Sequence, residues 1–421
     1  MQAAVVMFEE LGDQFSAART LVAVGEALYR EDRLDEAIAL ERDAAARLPD
    51  GSAEQASVLA VLAVQLGSQN SFDEALVVAD AALSIAEPLE QWETVILAFN
   101  AVANVRGRSG RMEEADALRE RALRLALAHD LPQEALRAYN NVADKPLQGD
   151  RFAEARALAL PGLALAQARG YRHWEEPLGL LVTTANVGLG DWDDALELLG
   201  DLSVRGELPR LASLPLLARI QAARGNKDAV AHILGLAVDA NASTNAEFAD
   251  APTVARAIAL NASGRHQEAL DVAWPVAVSG AEVVNEDRRE AYVEAGLAAL
   301  AVNDQAAIER LIAHVADLPP ALRSPLLRAG AARFAGLLAH RRADPASADE
   351  RLTAATRELR TIKAPFVLGQ VLVEHAELLE TEERGAEAVA LRAEAREIFT
   401  RLQAAPWLAR TQAPSQAGVA A

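Results

Sequence analysis

An acidic turn that runs into an alanine and then an apolar stretch recurs ten times in this chain of 421 residues. The alanines are Ala37, Ala75, Ala115, Ala155, Ala195, Ala229, Ala269, Ala307, Ala348 and Ala388, separated by 38, 40, 40, 40, 34, 40, 38, 41 and 40 residues. A fixed period in this range belongs to stacked repeats, in which one unit cannot bury its apolar face alone and neighbours must cover it. Length by itself would suggest about three domains. A solenoid is exempt from that estimate, because it grows by adding units and has no fixed core.

Each repeat reads as a helical hairpin. Twelve residues before the alanine stands a small residue in nearly every repeat: Gly25, Ala63, Ala103, Ala143, Thr183, Ala257, Ala295, Gly336 and Ala376, with Ala218 at eleven in the sixth. Small residues at matched offsets let two helices approach closely. Between the two positions lie turns such as Gly110-Arg111-Met112-Glu113-Glu114 and Gly190-Asp191-Trp192-Asp193-Asp194. The glycine suits the left-handed position after a helix, and the acids suit the first turn of the next, where the helix dipole favours negative charge. Leu34, Phe72, Met112, Phe152 and Trp192, three residues before the alanine, are expected to plug the turn against its own hairpin. From the sixth repeat onward that plug is lost. In the third repeat the helices are expected near Gln91–Arg106 and Met112–Ala128. Pro88, Pro132, Pro177, Pro319, Pro345 and Pro365 are expected at joints, and Pro161, Pro215, Pro275 and Pro325 inside helices. The stretch from Gly200 to Asp250 is the least regular, a candidate bend in the superhelix. The expected fold is all-α: a right-handed superhelical solenoid of about ten helical hairpins. Residues 14–404 form the solenoid, 1–13 the tail of a preceding repeat helix, and 405–421 a terminal tryptophan segment with a disordered tail.

Composition narrows the function. There is no cysteine, which removes disulfides, thiolate metal sites and cysteine nucleophiles. Seven histidines are scattered, none in an H-E-x-x-H pattern, so neither a metal nor a cofactor is expected. The start lacks a basic segment ahead of an apolar core, and no apolar run reaches about 18 residues; a cytoplasmic protein is expected. A net charge of −20 opposes generic binding to nucleic acid or to an anionic membrane. The acids are expected to cover solvated helix faces. No catalytic constellation appears, so the chain is not expected to be an enzyme.

The spacing from the small residue to the alanine, and the small residue seven beyond it (Ala44, Ala82, Ala122, Gly162, Ala355, Ala395), resemble the tetratricopeptide repeat, in a variant longer than the usual 34 residues. The end of the chain, Ala364-Pro365-Phe366, Ile398-Phe399-Thr400-Arg401-Leu402 and Pro406-Trp407-Leu408-Ala409-Arg410, resembles the C-terminal region of bacterial signal-transduction ATPases linked to nucleotide cyclase or DNA-binding domains. The chain departs from those proteins in having no G-x-x-x-x-G-K-[ST] phosphate loop. The resemblance implies a concave surface lined by the first helices, some relatives holding a partner's C-terminal carboxylate there with two asparagines and three basic residues. Asn104 and Asn141 match the asparagines; Asn100, Pro177 and Leu181 stand where lysine or arginine is needed, so the charge-assisted bonds of such a clamp are missing. Asn100, Asn104, Asn140, Asn141 and Asp144 remain the candidate partner-binding residues, beside the alternative that the asparagines form a ladder between repeats. The expected function is a non-enzymatic protein- or peptide-binding scaffold in bacterial signal transduction, with a protein or peptide on the concave face, no nucleic acid and no membrane. The alternative is a sensor arm of a cyclase- or transcription-linked ATPase whose catalytic modules lie outside this chain.

Overall fold

The computed structural model describes residues 2–30, 33–203, 207–239, 250–279 and 285–412. Among these residues there is no strand; α1 (Gln2–Glu10) precedes ten helical hairpins. The hairpins are α2 (Gln14–Arg30) with α3 (Leu34–Arg47), α4 (Ala53–Ser68) with α5 (Phe72–Ala86), α6 (Trp92–Arg108) with α7 (Met112–Ala128), α8 (Pro132–Gln148) with α9 (Phe152–Arg169), and α10 (Arg172–Leu189) with α11 (Trp192–Ser203). They continue with α12 (Glu207–Arg224) and α13 (Lys227–Asp239), α14 (Ala251–Ala262) and α15 (His266–Ala277), α16 (Glu286–Ala301) and α17 (Gln305–Asp317), α18 (Pro325–Arg341) and α19 (Pro345–Ile362), and α20 (Pro365–Thr381) and α21 (Gly385–Leu402). The short α22 (Ala405–Arg410) follows. This is the tetratricopeptide-like, all-α hairpin solenoid expected from the period. The polar run Asn241 to Glu247, within the candidate bend, lies outside the described residues, as does 413–421.

The turns explain why each hairpin reverses. After α6, Gly110 is left-handed at φ 79°. Its N–H reaches Gly107 O at 3.1 Å, and Arg111 N–H reaches Arg106 O at 2.8 Å, so the last carbonyls of the helix are satisfied. Asn70, Asp150 and Asn303 take the same left-handed position without glycine. An unanticipated regularity sits beside these turns: Arg33–Glu36, Arg111–Glu114, Arg151–Glu154, Arg265–Glu268 and Arg384–Glu387 form the same three-residue ion pair at the start of the second helix. All are solvent-exposed, so water and salt screen them and each contributes little.

Nine of the ten repeat alanines are buried; Ala229 is half-exposed and its neighbour Val230 takes the buried place. Counting from Val230 puts Ala218 at twelve residues, as in every other repeat, so the sixth repeat carries its apolar anchor one residue later. The plug reaches further than expected. A Cβ on Gly188 of α10 would lie 2.6 Å from the Phe152 ring, and the Arg108 guanidinium of α6 lies over Phe72 at 5.5 Å. Phe152 and Phe72 thus also seal the joint to the following repeat, while Trp192 donates from Nε1 to Val187 O at 3.2 Å and Met112 lies 3.9 Å from where a Cβ on Gly107 would stand, each within its own hairpin as expected. Pro177 lies inside α10, and Pro325 starts α18 instead of interrupting it.

The chain divides into two compact units, residues 1–142 with 164–169 and residues 143–163 with 170–421. In unit 1, alanines stack from repeat to repeat: Ala63, Ala79 and Ala101 form one layer and Ala60, Ala82 and Ala98 another. Unit 2 departs from a simple stack, in which a repeat touches only its neighbours. Asp150, in the α8–α9 turn, accepts a 2.7 Å bond from Leu326 N at the start of α18. Arg289 of α16 approaches the same carboxylate at 3.3 Å and donates to Gln148 O at 3.1 Å. A Cβ on Gly190 would lie 2.7 Å from Leu402 and 2.9 Å from Pro365, and the rings of Trp192 and Phe366 meet edge-on at 5.2 Å. The early repeats of unit 2 thus close directly onto its last three.

Candidate functional site

The packing of α6 leaves one stripe that is part exposed and part buried. Phe99, Ala103 and Gly107 turn toward α7, where Gly107 would place a Cβ 3.7 Å from Ala115, and Val105 packs back on Gly67 of α4. The remaining stripe, at the i, i+4, i+7, i+11 spacing of one helix face, is Glu93, Leu97, Asn100 and Asn104, of which Glu93 and Asn104 are exposed. Asn100 stands at the floor of that stripe and is only 6% exposed. Neither its amide nitrogen nor its carbonyl oxygen has a hydrogen-bond partner. A buried amide left unpaired costs about 1–3 kcal/mol for each group, and such groups are rare enough in folded proteins to require a cause.

The other candidates are placed separately. Asn140, forty residues on, occupies on α8 the position Asn100 occupies on α6, and is half-buried; Asn141 is next to it and also half-buried. No hydrogen bond joins one of these asparagines to another among the described residues, so the ladder expected as the alternative is not formed. Asp144 belongs to unit 2 and accepts a 2.6 Å bond from Gln148. Close to the stripe in unit 1, burial pushes the Glu134 carboxyl above the usual range, with Arg137 opposing and Glu93 adding to the shift.

The corresponding face differs sharply between the units. Eighteen residues before the anchor, unit 1 has exposed Arg19, Ser57 and Arg137 and half-buried Leu97, whereas unit 2 has half-buried Pro177 and buried Leu211, Ala251, Arg289, Gly330 and Gln370. Fifteen before it, unit 2 places Val254, Tyr292, Arg333 and Val373, each no more than 1% exposed. Unit 1 is thus mostly exposed and polar at the eighteen-residue position, although Ala60 and Asn100 are buried fifteen residues before the anchor; in unit 2 both positions are mostly filled by the protein's own side chains.

What fills it includes an ionic array that was read in the sequence as solvated surface charge. Arg219 of α12 pairs with Glu290 of α16 at 2.5 Å. Arg333 of α18 binds Glu374 of α20 through two bonds of 2.7 and 2.6 Å, and Gln370 at 3.0 Å. Glu294 lies between, 8% exposed, accepting 2.7 Å from Asn261 of α14. Burial, with Glu290 adding, pushes its carboxyl up to about 7. The available signal was the spacing of Glu290 and Glu294 at i, i+4. Like charges at i, i+4 on an exposed helix are unfavourable without cations between them.

Among the described residues, no group of three or more His, Cys, Asp or Glu is placed to hold a metal ion, and no helix is long and apolar enough to cross a membrane. The tryptophans sit at repeat joints: Trp92 stacks on His129 at 4.4 Å, Arg310 lies over Trp274 at 4.4 Å, and Trp407 stacks on Phe399 at 5.8 Å.

No protein-family model and no curated protein sequence matches the chain. Solved structures of similar fold include a human IFIT1 dimer with m7Gppp-AAAA, at 13% identity and a TM-score of 0.45 over 82% of this chain and 77% of that one. Another is the apo form of the quorum sensor NprR from B. thuringiensis, at 10% identity and a TM-score of 0.43 over 93% of this chain and 99% of that one. One expectation is corrected by the IFIT1 structure, which is a dimer with m7Gppp-AAAA: the expectation of no nucleic acid does not stand. The physical reason is that net charge averages over the whole surface, while a ligand meets one groove.

Proposed function

We propose that the chain is a non-enzymatic binding scaffold that holds a protein or peptide segment along the open first-helix face of unit 1. The observation that carries this is the Asn100 amide: buried at the floor of a polar stripe, with donor and acceptor both unpaired. A peptide main chain offers one N–H and one C=O per residue, the complement of an asparagine side chain. Asn104, Asn140 and Asn141 extend the polar contacts along the same face. The amide's two atoms are covered in the unliganded chain, so the neighbouring side chains part when the segment enters.

Asn100→Leu separates this role from a structural one. Removing an unsatisfied buried amide is expected to raise the stability of the free chain by about 1 kcal/mol, while peptides selected on the wild type from a displayed random library lose at least about tenfold in affinity, about 1.4 kcal/mol. Unchanged affinity in the variant would dismiss the site. Single-stranded RNA that binds with the same dependence on Asn100 would replace the peptide as ligand.

The setting proposed is signal transduction in the bacterial cytoplasm. A second reading rests on the resemblance of the terminal segment, where Trp407 covers Phe399 and Arg410 pairs with Glu377 at 2.6 Å: the chain acts as the sensor arm of a signal-transduction ATPase. An immunoblot of the native protein decides between them. A band well above 44.8 kDa supports the arm, and a band at that mass supports a free-standing scaffold.

A further inference from the structure

We propose that unit 2 is held closed by a proton on Glu294. With that carboxyl neutral, the first helices of repeats 6 to 10 pack around it; its ionisation loosens α14, α16 and α18 from one another.

The geometry supplies the reason. Glu290, Glu294 and Glu374 share the interior with two guanidinium groups, Arg219 and Arg333, and each guanidinium is engaged at ion-pair distance by one of the flanking carboxylates. Glu294 is the carboxylate in excess. Its polar contact is the Asn261 side chain, which donates both to the Glu294 carboxylate at 2.7 Å and to the Glu294 main-chain oxygen at 3.0 Å. The remaining Asn261 oxygen lies 3.1 Å from Nδ1 of His266 on α15; since that oxygen can only accept, Nδ1 carries the hydrogen. Asn261 is thereby held with its amide nitrogen toward Glu294. The charged groups facing Glu294 are therefore Arg219 from α12, Glu290 on its own helix and Arg333 from α18. His266 stands one bond away on α15, Glu374 of α20 acts through Arg333, and α17 packs apolar Ile308 and Leu311 into the same core.

The surroundings raise the cost of opening only in one protonation state. The carboxyl stands at about 7 in the closed unit, raised first by burial, and would return to the ordinary 4.5 on exposure to water. Between those values the closed form holds a proton that the open form has lost. Closure is therefore strongest at or below about pH 4.5, weakens tenfold per pH unit up to about 7, and changes no further above it. Asp287, one helical turn before Glu290, is also raised to about 7, by burial first and then by Glu286, Asp250 and Glu290, and burial raises Glu290 as well against the opposing Arg219 and Arg289, so the Glu294 contribution must be told apart from both experimentally.

The test is amide exchange in α14, α16 and α18 of the whole chain, corrected for intrinsic rate, from pH 5 to pH 8. In the wild type, protection is expected to fall about 100-fold between pH 5 and pH 7 and then level. In Glu294→Gln, which keeps the bond to Asn261 without the titration, the Glu294 part of that fall disappears; in Asp287→Asn it persists. A wild type whose protection is flat with pH, or a fall that survives undiminished in Glu294→Gln, overturns the proposal. The carboxyl carbon resonance of Glu294 in the wild type provides a second measurement that needs no variant. A midpoint near 7 is required, and one below about 5 overturns the proposal.

Discussion

Arg333→Ala is expected to destabilise unit 2 by about 3–5 kcal/mol, one of the largest losses open to a single substitution here. The side chain is 1% exposed and binds Glu374 at both oxygens as well as Gln370. Its removal strands a carboxylate that is itself 6% exposed, and an unpaired buried charge costs far more than the pair contributes. Replacing both partners tests that account: Arg333→Met with Glu374→Leu should recover most of the loss, because two apolar side chains of similar bulk have no charge to leave unpaired. The exposed pair Arg360–Glu394, with side chains 49% and 36% exposed, is the control. Arg360→Ala should change stability by less than about 1 kcal/mol. Denaturant titration followed by tryptophan fluorescence reads all three, since Trp174, Trp192, Trp274 and Trp407 belong to unit 2 and only Trp92 to unit 1. A double variant as unstable as Arg333→Ala would mean that the array contributes more than the cost of burying it.

The hairpins were legible because their determinants are local and repeated. Gly110, the acids after it and Ala115 specify one turn and one close contact within about ten residues, and the pattern recurs often enough to survive the exceptions. Even the one shifted anchor, Val230 for Ala229, left its trace in the short interval before it and in Ala218 at eleven residues. The closure of unit 2 left no such trace. Asp150 and Gly190 occupy ordinary turn positions, and nothing in their own repeats indicates that one will cap a helix beginning at Pro325 and the other will press on Leu402. Periodicity relates a residue to its neighbours in the stack and is silent about partners 140 to 210 residues away. The same silence hid the ionic array: Glu290, Glu294 and Arg333 have the composition of solvated faces, and only the closure places them in the core.

The asparagines were half legible. Their recurrence forty residues apart, Asn100 to Asn140, marked a surface stripe, but the pattern did not distinguish an inter-repeat ladder from an unpaired amide. That distinction depends on how closely α4, α6 and α8 converge, a packing property rather than a compositional one. The two units then divide the labour in physical terms. Unit 1 retains a polar face whose floor is under-bonded, a state that a ligand can relieve. Unit 2 spends the equivalent face on its own core.

Gly296→Ala is the second large effect, and its sign opposes helix propensity. Alanine in place of glycine inside a helix ordinarily stabilises by about 0.5–1 kcal/mol. At Gly296, in the middle of α16, a Cβ would lie 2.1 Å from Cζ of Phe334 and 2.2 Å from Cε2, so the ring must move. It has nowhere to go: Phe334 is 0% exposed, the Tyr292 ring stands 5.7 Å away centroid to centroid, and the Arg333 guanidinium lies 6.0 Å from its centroid. Overpacking a site of this kind costs about 1–3 kcal/mol, and the loss should show as a lowered denaturation midpoint. Gly235→Ala in α13, where a Cβ meets nothing within 4 Å, should instead gain the ordinary propensity term. The cycle completed by Phe334→Leu distinguishes steric conflict from a general intolerance of α16. If the ring is the obstacle, the double variant loses less than the sum of the two single losses, by about 0.5–3 kcal/mol for side chains in direct contact. Strict additivity would move the explanation away from Phe334 and onto the backbone of α16.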